Sequence, residues 1–190
     1  RKILIQISSF IINIDDFIIV DSSNENEITK LIVSEYFDSN VIKIINSPNA
    51  LPGKARNIGI KNSKNEILIF LDIKTTPDKK WFSESIAQFL KNDYDYLLGK
   101  TKYHATNFKN KLIASAIYGN IEHDTIPGSF FKKKVFKKVG LFNEKVRAGE
   151  DIDFKNRLLK FNLKYGKAIV CLSYKEIESN FFQLCKKYIV

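Results

Sequence analysis

The chain has 190 residues, with 31 Lys+Arg against 21 Asp+Glu, a formal net charge of +10, 44% hydrophobic and 27% charged residues, and no Met. That is ordinary globular material for one domain with a sizeable core, and it excludes a disordered chain and a collagen-like or mucin-like stalk. The apolar stretches around Ile3 to Ile14 and Phe17 to Val20 are broken by Gln6, Asn13, Asp15 and Asp16, short of the ~20 residues of a membrane span, and Cys171 and Cys185, outside any C-x-x-C spacing, exclude a disulfide framework and favour a reducing, cytoplasmic setting.

In chain order, Lys2 to Ile14 reads as the end of a helix. Phe17 to Asp21 is a buried strand, Glu27 to Phe37 a helix with Ile28, Leu31, Ile32 and Tyr36 on one side, and Val41 to Ile45 a second strand. Gly53 to Asn62 is helical, and Glu66 to Asp72 is the strongest strand in the sequence. Near-continuous apolar strands separated by helices indicate an α/β domain whose sheet is covered on both faces. The second half brings an amphipathic helix at Trp81 to Leu90 and a strand at Tyr94 to Lys102. A helix of small residues follows at Lys109 to Tyr118, then a short strand at Ser129 to Phe131. A basic helix at Lys132 to Val139, a helix from Glu150 to Phe161 with an acidic start and a strand at Lys167 to Leu172 complete the chain. No linker or repeat divides it, so residues 1–190 read as a single domain, with a nucleotide-type half at 1–80 and a mixed half at 81–190.

The charge of +10 invites a nucleic-acid reading. The lysines, however, are scattered, and only Lys132, Lys133, Lys134, Lys137 and Lys138 cluster. That run has neither the aromatic-glycine signature of an RNA-binding sheet nor zinc-finger spacing, so nucleic acid is set aside as a partner. A basic field also suits an anionic nucleotide or a membrane face.

Acidic residues fall where structure gives them meaning. Asp21 and Asp72 each end an apolar strand, and open parallel sheets bind ligands beyond the carboxyl ends of their strands. An Asp that simply opens a turn is the competing explanation for each. In Arg147-Ala-Gly-Glu-Asp-Ile-Asp-Phe154, the acids Glu150, Asp151 and Asp153 crowd a helix start. Helix dipole complementarity and an i,i+4 pair with Arg157 account for Asp153. Adjacent like charges at Glu150 and Asp151 suit one of them to accept a proton. Pro52-Gly-Lys-Ala-Arg-Asn57 opens a helix with Lys54, Arg56 and free backbone N–H groups, a place for an anion. Neither G-x-x-x-x-G-K-[ST] nor G-x-G-x-x-G is present, which removes the main support for ATPase and dehydrogenase readings.

With these parts in order, the chain resembles the family 2 glycosyltransferases of GT-A fold from about Leu4 to about Leu172. The carrying fragments are Phe17-Ile-Ile-Val-Asp-Ser-Ser-Asn-Glu-Asn26, Gly53-Lys-Ala-Arg-Asn-Ile-Gly59 and Glu66-Ile-Leu-Ile-Phe-Leu-Asp-Ile-Lys-Thr-Thr-Pro77 with Trp81. They continue with Ile126-Pro-Gly-Ser-Phe-Phe131, Val139-Gly-Leu-Phe-Asn143 and Gly149-Glu-Asp-Ile-Asp-Phe-Lys-Asn-Arg157. The resemblance implies a mixed, mostly parallel sheet flanked by helices. It implies inverting transfer of a sugar from a nucleotide-diphosphate sugar, normally a UDP-sugar, to a hydroxyl of a glycan or lipid-linked acceptor in envelope polysaccharide synthesis. It further implies a cytoplasmic location with peripheral membrane association. By the same resemblance Asp21 reads the base, Arg56 and Asn57 lie beside the nucleotide and its phosphates, and Asp72 opens a D-x-D motif. Gly128 and Ser129 line the acceptor side. Asp151, with Glu150, is the general base, and Arg157 lies behind it.

Two departures stand out. Asp72-Ile73-Lys74 occupies the D-x-D position, so a lysine replaces the acid that most directly carries Mg2+ or Mn2+, leaving Asp72 as the one metal candidate there. Either Lys74 substitutes for the metal as a point charge on the diphosphate, or the domain binds a nucleotide or glycan without turnover. The family's late His is also missing, the segment reading Cys171-Leu-Ser-Tyr-Lys-Glu176, while His104 and His123 lie elsewhere. At the N-terminus the family's first strand is not recognisable. The chain opens on Arg1, so we expect a piece of something longer, or a partner segment that supplies the strand.

Overall fold

The computed structural model of the chain describes residues 2–8, 16–24, 26–36, 42–103, 108, 111–112 and 122–174. In order these form α1 (Lys2–Ser8), β1 (Phe17–Asp21), α2 (Asn26–Ser34), β2 (Ile42–Asn46), α3 (Pro52–Asn62), β3 (Ile67–Ile69) and β4 (Thr75–Thr76). They continue as α4 (Lys79–Lys91), β5 (Tyr96–Tyr103), β6 (His123–Lys132), α5 (Lys134–Val139), α6 (Glu150–Leu158) and β7 (Tyr165–Tyr174). Apart from Lys111 and Leu112, which are helical, the helix expected at Lys109 to Tyr118 lies outside the described residues, as do His104 and Cys185. Among the described residues no helix is long and apolar enough to cross a membrane.

β1 and β2 pair in parallel, Phe17 opposite Ile42 through Asp21 opposite Asn46. The other strands form one sheet in the order β3-β6-β5-β7-β4. β5 and β7 are parallel, while β6 runs against both β3 and β5, and β4 against β7. β3, β5 and β7 thus point one way and carry their carboxyl ends to one side. Among the described residues β1 has β2 as its strand neighbour and β3 has β6, so the strands fall into two sheets. The sheets still share a core, since Phe17 of β1 and Ile67 and Ile69 of β3 pack on the same apolar cluster. Lys64 N–H, ahead of β3, also donates to Asp16 Oδ2 at 3.4 Å, ahead of β1.

The period-2 alternation of each strand builds the two faces. Leu68, Tyr96, Leu98 and Phe131 point to one core, closed by Val135, Phe136 and Val139 of α5 and Phe154 and Leu158 of α6. Leu97 and Phe130 point to the other, where Trp81, Phe82 and Phe89 of α4 and Ile7 of α1 cover them. Asp78 starts α4 by accepting Trp81 N–H at 2.7 Å, satisfying a donor the helix itself leaves orphaned.

The largest difference from the sequence reading is β6. The sequence reading has a short strand at Ser129 to Phe131, yet the strand runs from His123 to Lys132 and takes in Pro127 and Gly128. A bulge absorbs them. The β5–β6 register shifts between Leu97 and Gly99, and Ser129 Oγ accepts Gly99 N–H at 2.7 Å while donating to Thr125 O at 2.6 Å. A side chain at Gly99 would place its Cβ 2.5 Å from Gly128 C and Pro127 O, so only glycine permits this approach. The Lys132–Lys138 run is a local tie and not a stripe. Lys132 pairs with Asp93, Lys134 pairs with Asp95 at 2.7 Å, and Lys133 Nζ donates to Ser63 O at 2.6 Å.

Candidate functional site

Asp21 closes β1, and its carboxylate is held on both oxygens. Ser23 N–H donates to Oδ1 at 2.9 Å and Thr29 Oγ1, from α2, to Oδ2 at 2.6 Å. Burial pushes this carboxyl upward, but the hydrogen bonds from Thr29 and Ser23 outweigh it and hold the group below its ordinary value. Asp21 is therefore a fixed, ionised acceptor at the carboxyl end of its strand. Thr29 was not legible as its partner, because an eight-residue separation across a loop carries no periodic signal.

The start of α3 meets the start of α6. Gly53 approaches so closely that a Cβ there would sit 2.1 Å from Asn143 O and 3.5 Å from Glu150 Cβ. Asn57 is 1% exposed. Its Nδ2 donates to Phe142 O at 2.9 Å and Glu144 Oε1 at 2.8 Å, and its Oδ1 accepts Phe142 N–H at 2.9 Å. Asn57 thus clamps the segment between α5 and α6, with both ends of its side-chain amide engaged there. Arg56 Nη1 donates to Glu150 Oε1 at 2.5 Å, and its guanidinium lies 5.4 Å from the Phe142 ring centre.

Adjacent acids at the start of α6 have opposite fates. Glu150 is buried against Arg56, its side chain 7% exposed. Asp151 is half-buried, and its side chain makes no hydrogen bond or ion pair among the described residues. Gly149, at φ +87°, provides the turn into the helix and no side-chain cap. Arg157, expected behind the base, is engaged elsewhere. It donates to Asp153 Oδ2 from Nε at 3.0 Å and Nη2 at 2.9 Å, to Val139 O at 2.9 Å and to Leu141 O at 2.8 Å. The i,i+4 pair read from sequence is present, and Arg157, its side chain 27% exposed, ties α6 to the Val139 and Leu141 carbonyls and makes no hydrogen bond to Asp151.

Asp72 lies beyond the end of β3 in a tight turn. Its Oδ1 accepts Lys74 N–H at 3.0 Å, and its carbonyl accepts Thr75 N–H at 2.9 Å and Thr75 Oγ1 at 2.6 Å. β4 then pairs Thr75 with Tyr174, which is in register with Tyr103 of β5, and the two tyrosine rings are 4.7 Å apart. This aromatic pair beside the Asp72 turn was missed, because Tyr103 and Tyr174 lay past the strand ends assigned from sequence. Among the described residues no group of three His, Cys, Asp or Glu side chains is placed to hold a metal ion. One carboxylate followed two residues later by an ammonium-bearing side chain does not fit a divalent cation, which wants several oxygens.

Gly128 and Ser129, assigned to the acceptor side by resemblance, are interior. Gly128, at φ +82°, would set a Cβ 2.9 Å from Leu172 Cδ1 and 3.6 Å from Trp81 Cζ2, and Ser129 is fully buried in the bulge. Both shape the sheet beneath the site. Burial, with a hydrogen bond to Glu122, pushes the Cys171 thiol up to about 11, which disfavours the thiolate.

The sequence profile described as Glycosyl transferase family 2 matches residues 7–149. The chain belongs to that family. It is 29% identical over 149 residues to an uncharacterized glycosyltransferase of Rickettsia conorii and 26% identical over 158 residues to one of Rickettsia felis. Each alignment covers 72% of this chain and 24% of the relative, so the chain spans about a quarter of the length of these curated relatives. Among solved structures, S. aureus TarS 1–349 in complex with UDP-GlcNAc is similar, with a TM-score of 0.64 and 18% identity over 88% of this chain and 51% of that one. GalNAc-T7 with UDP, GalNAc and Mn2+ gives a TM-score of 0.61 at 13% identity over 87% of this chain and 38% of that one. These likenesses establish the GT-A fold. The family match stops directly before Glu150, so the roles of the acid pair rest on its own geometry.

Proposed function

We propose that this family 2 domain transfers a sugar, with inversion, from a UDP-sugar to a hydroxyl of a glycan or lipid-linked acceptor in envelope polysaccharide synthesis. We place it in the cytoplasm at the membrane face, where a net charge of +10 favours anionic lipid. The observation that carries the reading is Asp151, a half-buried carboxylate without a side-chain partner among the described residues at the start of α6, next to a Glu150 that is buried against Arg56. The carboxylate accepts the acceptor's hydroxyl proton as that oxygen bonds to the anomeric carbon. The bond from that carbon to the diphosphate oxygen breaks on the opposite side, and UDP departs with the electron pair. Asp21 serves as the acceptor for a base N–H, and Asp72 holds the donor ribose or sugar. The charge on the leaving diphosphate is met by Lys74, by Lys54 and by the backbone N–H groups that open α3. The UDP and UDP-GlcNAc complexes of TarS support the donor class.

One observation favours a second reading, a domain that binds nucleotide without turnover: Lys74 stands where the motif has an acid. The two separate in one experiment on the full-length protein, transfer or hydrolysis of a UDP-sugar panel with Mn2+ and with EDTA. The enzyme reading expects turnover that survives EDTA and is lost in Asp151→Asn with UDP binding retained. UDP binding without turnover for any donor, in both the parent and Asp151→Asn, refutes it and leaves the binding domain. Turnover abolished by EDTA refutes the role given to Lys74.

A further inference from the structure

We propose that Arg56 and Glu150 are positioning residues. They form a buried ion pair that fixes the start of α6 and thereby aims Asp151, and neither binds the nucleotide nor transfers a proton. The inference rests on the reading of Asp151 as the base.

The pair joins residues 94 apart in the chain, at 2.5 Å, with side chains 19% and 7% exposed. Removing one partner of a buried pair leaves an uncompensated charge, so these two stay together when a ligand arrives. Arg56 is fixed a second time by the Phe142 ring beneath its guanidinium. Phe142 is itself locked by Asn57, packed edge-on against Phe70 at 5.8 Å and tilted against Phe154 of α6 at 4.3 Å. α6 has no side-chain cap, and Gly149 enters it at φ +87° with nothing packed over its Cα, so the turn before the helix carries no side-chain tether of its own. The anchor is Arg56. Successive residues on a helix are turned by about 100°, so holding Glu150 against α3 rotates Asp151 away from it, half-exposed and without a side-chain partner among the described residues. The contact of Gly53 with Asn143 removes the space in which α3 and α6 would otherwise slide.

The test uses the full-length protein with Arg56→Ala, Arg56→Lys, Glu150→Gln and Asp151→Asn. The readouts are UDP affinity by calorimetry, donor KM and kcat, and hydrogen exchange at residues 149–153. Arg56→Ala is expected to lower kcat on the order of 10²-fold, the effect of misplacing a reacting group by about 1 Å. UDP affinity and donor KM stay unchanged, and exchange in the first turn of α6 accelerates. Arg56→Lys restores part of kcat. Glu150→Gln, which keeps a carbonyl acceptor for Arg56, retains most of it. Weakened UDP binding in a folded Arg56→Ala, or Glu150→Gln as inactive as Asp151→Asn, overturns the inference. Should Asp151→Asn keep full turnover, the base reading fails, and the exchange and UDP measurements still decide the pair's role, with unchanged exchange refuting it. If Arg56→Ala does not fold, Arg56→Lys and Glu150→Gln carry the same comparison.

Discussion

Asn57→Ala tests whether the start of α3 is a clamp or a ligand contact. The substitution removes the donor to Phe142 O, the acceptor of Phe142 N–H and the contact with Glu144. Glu144 is exposed and regains water at little cost, whereas Phe142 is 3% exposed and both of its backbone groups become orphans. At about 1–3 kcal/mol for each unsatisfied buried group, the loss is roughly 2–6 kcal/mol. For a chain of this size about 2–4 °C is lost per kcal/mol, so the thermal midpoint should fall on the order of 10 °C. Asn57→Asp should be no better. It keeps the acceptor for Phe142 N–H but sets a carboxylate against the Phe142 carbonyl and the Glu144 carboxylate. The assay is thermal or urea unfolding of the parent and both variants, with UDP titration on any variant that remains folded. An unchanged midpoint together with lost UDP binding would refute the clamp and restore Asn57 to the nucleotide.

Other outcomes follow from single contacts. Gly128→Ala forces an L side chain into φ +82° with its Cβ 2.9 Å from Leu172 Cδ1. It should destabilise by about 1–2 kcal/mol for the left-handed backbone, with about 1–3 more for overpacking, read as a lower urea midpoint. A wild-type midpoint would mean the bulge relaxes freely. Thr29→Val removes the side-chain donor to Asp21, so the folded-state value of that carboxyl should rise toward its ordinary one. A depressed carboxyl stabilises the fold above the unfolded value, about 3.9, and that contribution is lost as pH falls through the lower folded value. The variant's deficit in urea midpoint should therefore be present at neutral pH and close in acid. A deficit independent of pH would assign the effect of Thr29 to packing alone.

Where periodicity and burial agree, the sequence was a sufficient guide. Phe17 to Asp21 is a strand with the bounds read from it, and Trp81 to Leu90 sits inside α4, because an apolar run and an amphipathic stripe each have a single way to be buried. Beneath the site it failed for one physical reason, since the deciding contacts are long-range backbone approaches that no local pattern encodes. Gly99 against Pro127 and Gly128 lets β6 begin at His123, ahead of the start at Ser129 read from sequence, and Gly53 against Asn143 packs the start of α3 on the segment leading into α6. The same contacts decide what each residue of a motif packs against. In Gly53-Lys-Ala-Arg-Asn57 the glycine, arginine and asparagine all face the segment from Phe142 to Glu150. In Glu150-Asp151 the motif delivers two carboxylates, and packing against α3 engages the first, so that the second is left without a side-chain partner among the described residues. A motif therefore specifies which residues stand together, while helix phase and the nearest backbone decide which of them reaches the substrate.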